Sequence, residues 1–264
     1  MEWTPEDLDN LSQSVDLLES PGLAARVTSL LGAPIEKAMN LLPAPATKLV
    51  HEATQGAITK AMSVAARTLA NRPGRPSADR FHLAGASLAG GVGGFFGLAG
   101  LAMELPVTTV IMLRSIADIA REQGEDLSDL EARMACVQVF ALGGRPGVNE
   151  GTETGYYAVR AALARSVSDA VRYLAQGGAV SKGTPVLVRF ISQVAARYGV
   201  VVSEKLAAQA VPVLGSLGGA AVNAVFTDLF QKTARGHFTV RRLEGKFGPG
   251  EVRKQYEDLL AGRG

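Results

Sequence analysis

Residues 86–120 read ASLAGGVGGFFGLAGLAMELPVTTVIMLRSIADIA, and this stretch decides the fold class. It overlaps a run of 21 residues without a charged side chain, from Leu83 to Met103. Within the run, Gly90 and Gly94 lie four positions apart, as do Gly93 and Gly97. Small residues at this spacing let two helix backbones approach closely. The pattern therefore indicates closely packed α-helices.

A second uncharged run of 22 residues, from Leu206 to Thr227, repeats the spacing at Gly215 and Gly219. The two runs are interpreted as a central helical pair that is either a buried core or inserts into a membrane. Each is long enough for about 30 Å of hydrocarbon, but glycines in the first run and Pro212 in the second weaken insertion. A phosphate-binding loop is disfavoured, because GGVGGFFG follows no predicted strand and lacks the lysine of that motif.

The rest of the chain also predicts helices. Expected starts are the Thr4 cap before Pro5, residues 45, 106 and 156, the Ser128–Glu131 capping box, and the prolines at 185 and 249. We expect an all-α, multi-helix bundle with a glycine-rich central pair of helical hairpins. Residues 1–44 are predicted to form an N-terminal helical extension and residues 45–264 the main helical domain.

Composition excludes several classes of protein and site. The net charge of +2 does not favour nucleic acid as a partner. A single cysteine, Cys136, allows no disulfide within the chain. With three histidines and no HExxH motif, neither a metal site nor a cofactor is predicted. The acidic start MEWTPEDLDN lacks the features of a signal peptide, so the expected compartment is the cytoplasm.

Two segments carry a family resemblance. Residues 90–134, GGVGGFFGLAGLAMELPVTTVIMLRSIADIAREQGEDLSDLEARM, and residues 212–248, PVLGSLGGAAVNAVFTDLFQKTARGHFTVRRLEGKFG, resemble the EcsC family. The family often has Asp where this chain has Glu104. The resemblance covers roughly residues 50–260 and implies a bacterial helical protein, from a family named after a gene beside an ABC transporter. It implies no reaction.

Polar residues within these motifs are the candidates for chemistry. One hypothesis is a hydrolase-type enzyme in which Glu104, Arg114, Glu131 and His237 converge in a cleft between the hairpins. Each also has a structural interpretation. Arg114 can pair with Asp118 one turn on, Glu131 can complete a capping box, and His237 can lie on a solvated basic helix face.

The leading hypothesis is a non-enzymatic protein at the inner face of the cell membrane. Its partner would be membrane lipid or a membrane protein such as a transporter. The contacts would come from the apolar glycine-rich helices and from a basic segment near the C-terminus, with the candidates Gly90, Gly93, Gly94, Phe95, Phe96, Gly97, Gly215, Gly219, Arg235, Arg241 and Arg242. Basic residues beside an apolar run suit anionic lipid. A third hypothesis is a soluble interaction module.

Overall fold

The protein is an all-α bundle, as predicted. The computed structural model describes residues 2–31, 44–69, 97–144, 155–180, 183–209 and 215–262. These residues form nine helices: α1 Pro5–Leu18, α2 Leu23–Leu31, α3 Ala44–Thr68, α4 Gly97–Glu122, α5 Leu130–Leu142, α6 Tyr156–Ala175, α7 Pro185–Gln209, α8 Gly215–Phe247 and α9 Pro249–Ala261.

Local signals place most helix ends. Thr4 caps α1: its hydroxyl accepts a hydrogen bond from the Asp7 backbone N–H, and the Asp7 carboxylate accepts one from the Thr4 backbone N–H. Prolines begin α7 and α9 at the predicted positions. Gly124 and Gly177, which follow α4 and α6, have φ values of 93° and 81°. That left-handed conformation favours glycine and stops a helix.

Two predicted helix starts are wrong. Pro106 lies inside α4, which begins at Gly97, so the helix runs through the proline, which has no backbone N–H to donate a hydrogen bond there. The cap of α5 is Asp129 and not Ser128, because the Asp129 carboxylate accepts a hydrogen bond from the Glu131 backbone N–H at 3.0 Å. Glu131 is therefore not a capping-box acid.

Helix α8 is the centre of the bundle. Its 33 residues extend about 50 Å at 1.5 Å per residue. It packs against α1, α2, α4, α5, α7 and α9. Helix α3 lies against α4, α5 and α7, and α6 packs on α5 and α7. Most other helices are thus positioned by contact with α8 or with one of its direct neighbours.

Paired side chains set the directions of two helices relative to α8. Gln231 and Arg241 of α8 donate hydrogen bonds to Ser115 of α4 and to Glu125 just after it, so α4 and α8 run parallel. Helix α1 runs antiparallel to α8. Near the middle of α8 an added Cβ at Gly236 would meet Leu18, and at its end Phe247 stacks on Trp3 with ring centroids 4.1 Å apart.

Four aromatic rings fill the core where α5, α7 and α8 meet. Phe140, Tyr198, Phe226 and Phe230 are fully buried, with ring centroids 5.1–6.1 Å apart. Edge and tilted contacts at these separations are favourable. The Tyr198 hydroxyl lies 2.9 Å from Thr109 Oγ1, which gives its polar end a partner and joins α4 to the cluster.

The helices that begin within the two uncharged runs, α4 and α8, pack against each other. Within the run from Leu206 to Thr227, α7 ends at Gln209 and α8 begins at Gly215. Among the described residues, α7 is the one helix that is long and apolar enough to cross a membrane. A core helix passes the same test, and α7 contributes Phe190, Tyr198 and other buried side chains to the core.

Helix α1 packs along α8, on the same bundle as the rest of the protein. The division between an N-terminal extension and a main domain at residues 44 and 45 stays a prediction.

Gly236 and Gly245 offer a matched test of the contact between α1 and α8. An added Cβ at Gly236 would lie 2.7 Å from Leu18 Cγ and 3.2 Å from the Ser14 backbone oxygen, whereas at Gly245 nothing lies within 4 Å. We expect Gly236→Leu to lower the free energy of unfolding by about 1–3 kcal/mol through overpacking. Gly245→Leu should leave it unchanged or raise it. Urea denaturation measures both, and equal stabilities would contradict this packing.

Candidate functional site

Glu104, a candidate catalytic residue, forms a buried ion pair. The Lys205 ammonium donates a hydrogen bond of 2.8 Å to its carboxylate, and the exposed fractions of the two side chains are 6% for Glu104 and 1% for Lys205. Helix α4 supplies the acid and α7 the base. An isolated buried charge is very costly, so each group makes the burial of the other tolerable.

The surroundings of Lys205 are apolar. Its Nζ lies 4.9 Å from the centroid of the Phe226 ring on α8, a cation–π distance. Burial lowers the pKa of the Lys205 ammonium, and the neighbouring Glu104 carboxylate opposes that shift. A paired and enclosed ammonium is out of reach of a substrate. The geometry therefore gives Glu104 a role in joining α4 to α7.

His237 lies in the core, so the interpretation as a surface histidine is wrong. It is fully buried, and its Nδ1 lies 2.8 Å from the Tyr156 hydroxyl oxygen. That oxygen also accepts a hydrogen bond of 3.1 Å from Arg160. Arg160 in turn donates two hydrogen bonds, of 2.7 and 2.9 Å, to the Glu244 carboxylate. These contacts join the start of α6 to the last turns of α8.

The Tyr156 hydrogen bonds indicate which nitrogen of His237 carries the proton. Because the Tyr156 oxygen accepts from Arg160, its own proton is best used in donation to Nδ1 of His237. The imidazole proton then lies on Nε2, which is buried without a partner within the described ranges. Burial, Arg160 and Arg241 hold the pKa of His237 well below its usual value. The imidazole is neutral and enclosed.

Glu131 and Arg241 line a cavity of about 310 Å³ between α5, α6 and α8. The Glu131 side chain is 62% exposed, and its carboxylate lies 3.7 Å from the Arg241 guanidinium. Arg241 donates its main hydrogen bonds to Glu125, at 2.5 and 3.3 Å. Gln138 and Arg160 also line this cavity.

Arg114 lines a different concavity, an apolar groove of about 540 Å³ between α3 and α4. Val107, Val110 and Ile111 lie on the same face of α4, and Arg114 follows one turn further on. Lys60 of α3 lines the groove as well, and both basic residues are exposed. The expected pair between Arg114 and Asp118 is wrong, because the Asp118 carboxylate accepts a hydrogen bond from Arg121 instead.

Most of the basic side chains of α8 are held in ion pairs, several of them at the surface. Arg235 pairs with Glu122 at 3.2 Å, Arg241 pairs with Glu125, and Lys246 pairs with Asp7 at 2.7 Å. Arg242 is exposed. Of the two interpretations of this basic segment, the geometry favours a charged helix that covers the core over a free cationic face.

The four candidate catalytic residues do not converge. The Glu104 ion pair lies beside Phe226, and His237 is eleven positions further along α8, a distance of about 16 Å. Arg114 is exposed at the α3–α4 groove, whereas Glu131 is exposed at the cavity between α5, α6 and α8. The structure therefore offers no shared cleft for these groups.

Three of the six predicted lipid-binding glycines lie in described helices and three do not. Gly97 opens α4, and Gly215 and Gly219 lie in the first turns of α8. Outside the described residues are Gly90, Gly93, Gly94, Phe95 and Phe96. Their role in lipid or partner binding stays a prediction.

A sequence profile described as the EcsC protein family matches residues 7–243, most of the chain. The chain belongs to the EcsC protein family. Neither curated proteins nor solved structures gave a match. In the part of the chain that the structure describes, no group of three or more His, Cys, Asp and Glu side chains is placed to hold a metal ion.

The EcsC match places the Glu104–Lys205 pair and the His237–Tyr156 contact inside the family region, and it begins within α1. Sequence reasoning missed Lys205, Tyr156, Arg160 and Gln138. The sequence does carry a signal for Lys205, because Glu104 between apolar residues requires a cation and Lys205 immediately precedes the second uncharged run. The other three have no local signature.

The buried ion pair predicts an asymmetric response to mutation. Glu104→Gln leaves the Lys205 ammonium without a counter-charge, so we expect the free energy of unfolding to fall by about 3–5 kcal/mol. The double variant Glu104→Leu with Lys205→Met removes both charges and should be more stable than Glu104→Gln. Urea denaturation compares the three proteins. A double variant as unstable as the single one would contradict this account.

Stability should depend on pH through His237. The folded imidazole stays neutral, while the unfolded chain binds a proton below about pH 6.5. The unfolded state then holds more protons, so the free energy of unfolding falls as the pH is lowered through that value, by up to about 1.4 kcal/mol per pH unit. His237→Gln, whose amide oxygen can still accept from Tyr156, should flatten this dependence.

The control for this measurement is His51→Gln, a change at an exposed histidine of α3. Urea denaturation of all three proteins between about pH 7 and 5 isolates the contribution of His237 from that of the carboxylates. If the free energy of unfolding of His237→Gln depends on pH as steeply as that of the parent protein, the buried neutral imidazole is not the cause of the pH dependence.

Proposed function

We propose that this EcsC family protein binds anionic lipid at the inner face of the cell membrane through the groove between α3 and α4, and acts without catalysing a reaction. One observation carries the proposal. The groove combines an apolar floor with two exposed cations, Lys60 and Arg114. An acyl chain suits the floor, and an anionic headgroup suits the cations.

The apolar floor is unusual for an exposed surface. Val107 is 55% exposed, the largest value among the exposed large hydrophobic side chains of the described residues. The opposite face of α4 carries Leu105, Met112 and Leu113, which are buried in the core. Helix α4 is thus apolar on both faces, which is typical of a helix that contacts the core on one side and lipid or a partner on the other.

The charge distribution supports lipid over a purely apolar partner. Each Lys or Arg near an anionic membrane surface contributes about 1 kcal/mol. Lys60 and Arg114 together would contribute about 2 kcal/mol, which is roughly a thirtyfold change in binding. Because α4 continues directly from the uncharged glycine-rich run, apolar insertion by that run can add to the contact at the groove.

The geometry does not favour the enzyme hypothesis, because Glu104 of α4 is buried in an ion pair and His237 of α8 is buried elsewhere in the bundle. We expect the basic segment of α8 to contribute little to lipid binding, because ion pairs hold most of its cations. The proposal therefore moves the electrostatic contact from α8 to the groove.

Flotation with liposomes tests this proposal. The purified protein is mixed with vesicles of phosphatidylcholine alone, or with added phosphatidylglycerol, at low and high salt. We expect binding to the anionic vesicles, and Lys60→Gln with Arg114→Gln should weaken it roughly thirtyfold. Val107→Asp should weaken it as well, including at high salt, because it puts a charge on the apolar floor.

The matched control removes two exposed cations elsewhere, Arg189 of α7 and Lys254 of α9, by the same changes to Gln. Binding by this control should stay close to that of the parent. Equal losses in the two double variants would mean that net charge alone is responsible, and the groove would be rejected. Arg242→Gln reports whether the exposed cation of α8 contributes. Absence of flotation with every vesicle would overturn membrane binding.

A further inference from the structure

The cavity between α5, α6 and α8 has the features of a small-molecule site. Its volume of about 310 Å³ lies at the lower end of the range for ligand pockets and corresponds to roughly ten water molecules. One wall is apolar and comes from α6, with Ala164, Val167 and Val171. The opposite wall is polar and comes from α5 and α8. The α3–α4 groove uses other helices, so this site does not rest on the proposed function.

The first pointer to a ligand is Gln138. Its side chain lines the cavity, the residue is only 7% exposed, and it makes no hydrogen bond to any other residue in the described ranges. An amide carries two donor hydrogens and an acceptor oxygen. Gln138 can therefore form hydrogen bonds to a ligand in the cavity without giving up a partner within the protein.

The second pointer is the geometry at Arg241. Its Nε and one terminal nitrogen donate to Glu125, at 2.5 and 3.3 Å. The other terminal nitrogen faces Glu131 at 3.7 Å, which is too long for a hydrogen bond. Since the Glu131 side chain is 62% exposed, this contact is weak and easily opened. An anion in the cavity can take the place of Glu131 at that nitrogen.

The remaining charges limit the ligand to a single negative charge. Glu244 already neutralises Arg160 in a bidentate pair, and Glu125 shares Arg241. Of these contacts, the one between Glu131 and Arg241 is the one that a ligand carboxylate can replace. The apolar wall on α6 suits a short hydrocarbon part beside the charged head.

We propose that this cavity binds a small organic monoanion, a short-chain carboxylate, with its head on Arg241 and Gln138 and its chain on the apolar wall of α6. Glu131 occupies the position of the ligand carboxylate in the free protein and moves outward into solvent when the ligand enters. The exposed position of Glu131 makes this exchange possible without unfolding any helix.

Titration with butyrate, followed by ¹H–¹⁵N NMR of the Gln138 side-chain amide and the Arg241 Nε–H, tests the proposal. Glu131→Gln removes the competing carboxylate and should tighten butyrate binding roughly two- to fivefold, the equivalent of a weak surface ion pair. Gln138→Leu should weaken it roughly fivefold. Butyramide, which has the same shape without the charge, should bind more weakly than butyrate.

Glu122→Gln is the matched control, because it removes one exposed carboxylate that pairs with Arg235 outside the cavity. The proposal predicts that its affinity for butyrate stays near that of the parent. Equal affinities for Glu131→Gln and Glu122→Gln would overturn it. So would butyramide binding as well as butyrate, or unmoved Gln138 and Arg241 resonances in Glu131→Gln. Laurate binding without butyrate binding would overturn the cavity as the site, because the ligand would then be a lipid held elsewhere.

Discussion

Every polar side chain of α8 that leaves water must find a partner inside the protein, and this constraint organises the bundle. Helix α8 is largely buried along its described side chains and contacts α1, α2, α4, α5, α6, α7 and α9. Gln231 pairs with Ser115, His237 with Tyr156 and Glu244 with Arg160, although Nε2 of His237 has no partner among the described residues. A buried group without a partner costs more than the hydrogen bond itself is worth. These contacts therefore select one alignment of the helices around α8.

The Glu104–Lys205 pair follows the same rule at the junction of α4 and α7. Such a pair contributes little net stability compared with a well-packed apolar contact. It is specific, however, because any shift of one helix against the other would leave a charge buried and alone. The aromatic cluster around Tyr198 and Phe230 provides the apolar packing at the same junction, and the ion pair sets its register.

In this arrangement the buried polar groups and the solvent-accessible ones have different roles. The enclosed groups, Glu104, Lys205 and His237, hold helices together. The accessible groups lie at two surface concavities with different character. The α3–α4 groove is mainly apolar with cations at its edge, which fits a lipid surface. The α5–α6–α8 cavity is mixed in polarity and small, which fits a soluble ligand. The two proposed binding sites lie on different helices and can be tested independently.

The sequence by itself determined the all-α class, most helix ends and the family. These properties depend on near neighbours: Thr4 caps a helix through Asp7 three residues away, and Gly124 and Gly177 end helices through their own backbone conformation. The predicted helix start at Pro106 is wrong because α4 begins earlier, in a glycine-rich segment that weakens the expected signal for an α-helix.

Only the tertiary structure decided what the polar residues do. Glu104 meets a lysine 101 positions away, and His237 meets a tyrosine 81 positions away. Residues so far apart in the sequence do not form a pattern within any short stretch of the chain. His237 and Arg241 belong to a segment that looks like a solvated basic face, and packing against α1, α4 and α6 turns it inward. The exposure of a side chain and the identity of its partner depend on how the helices pack, so only the tertiary structure determines them.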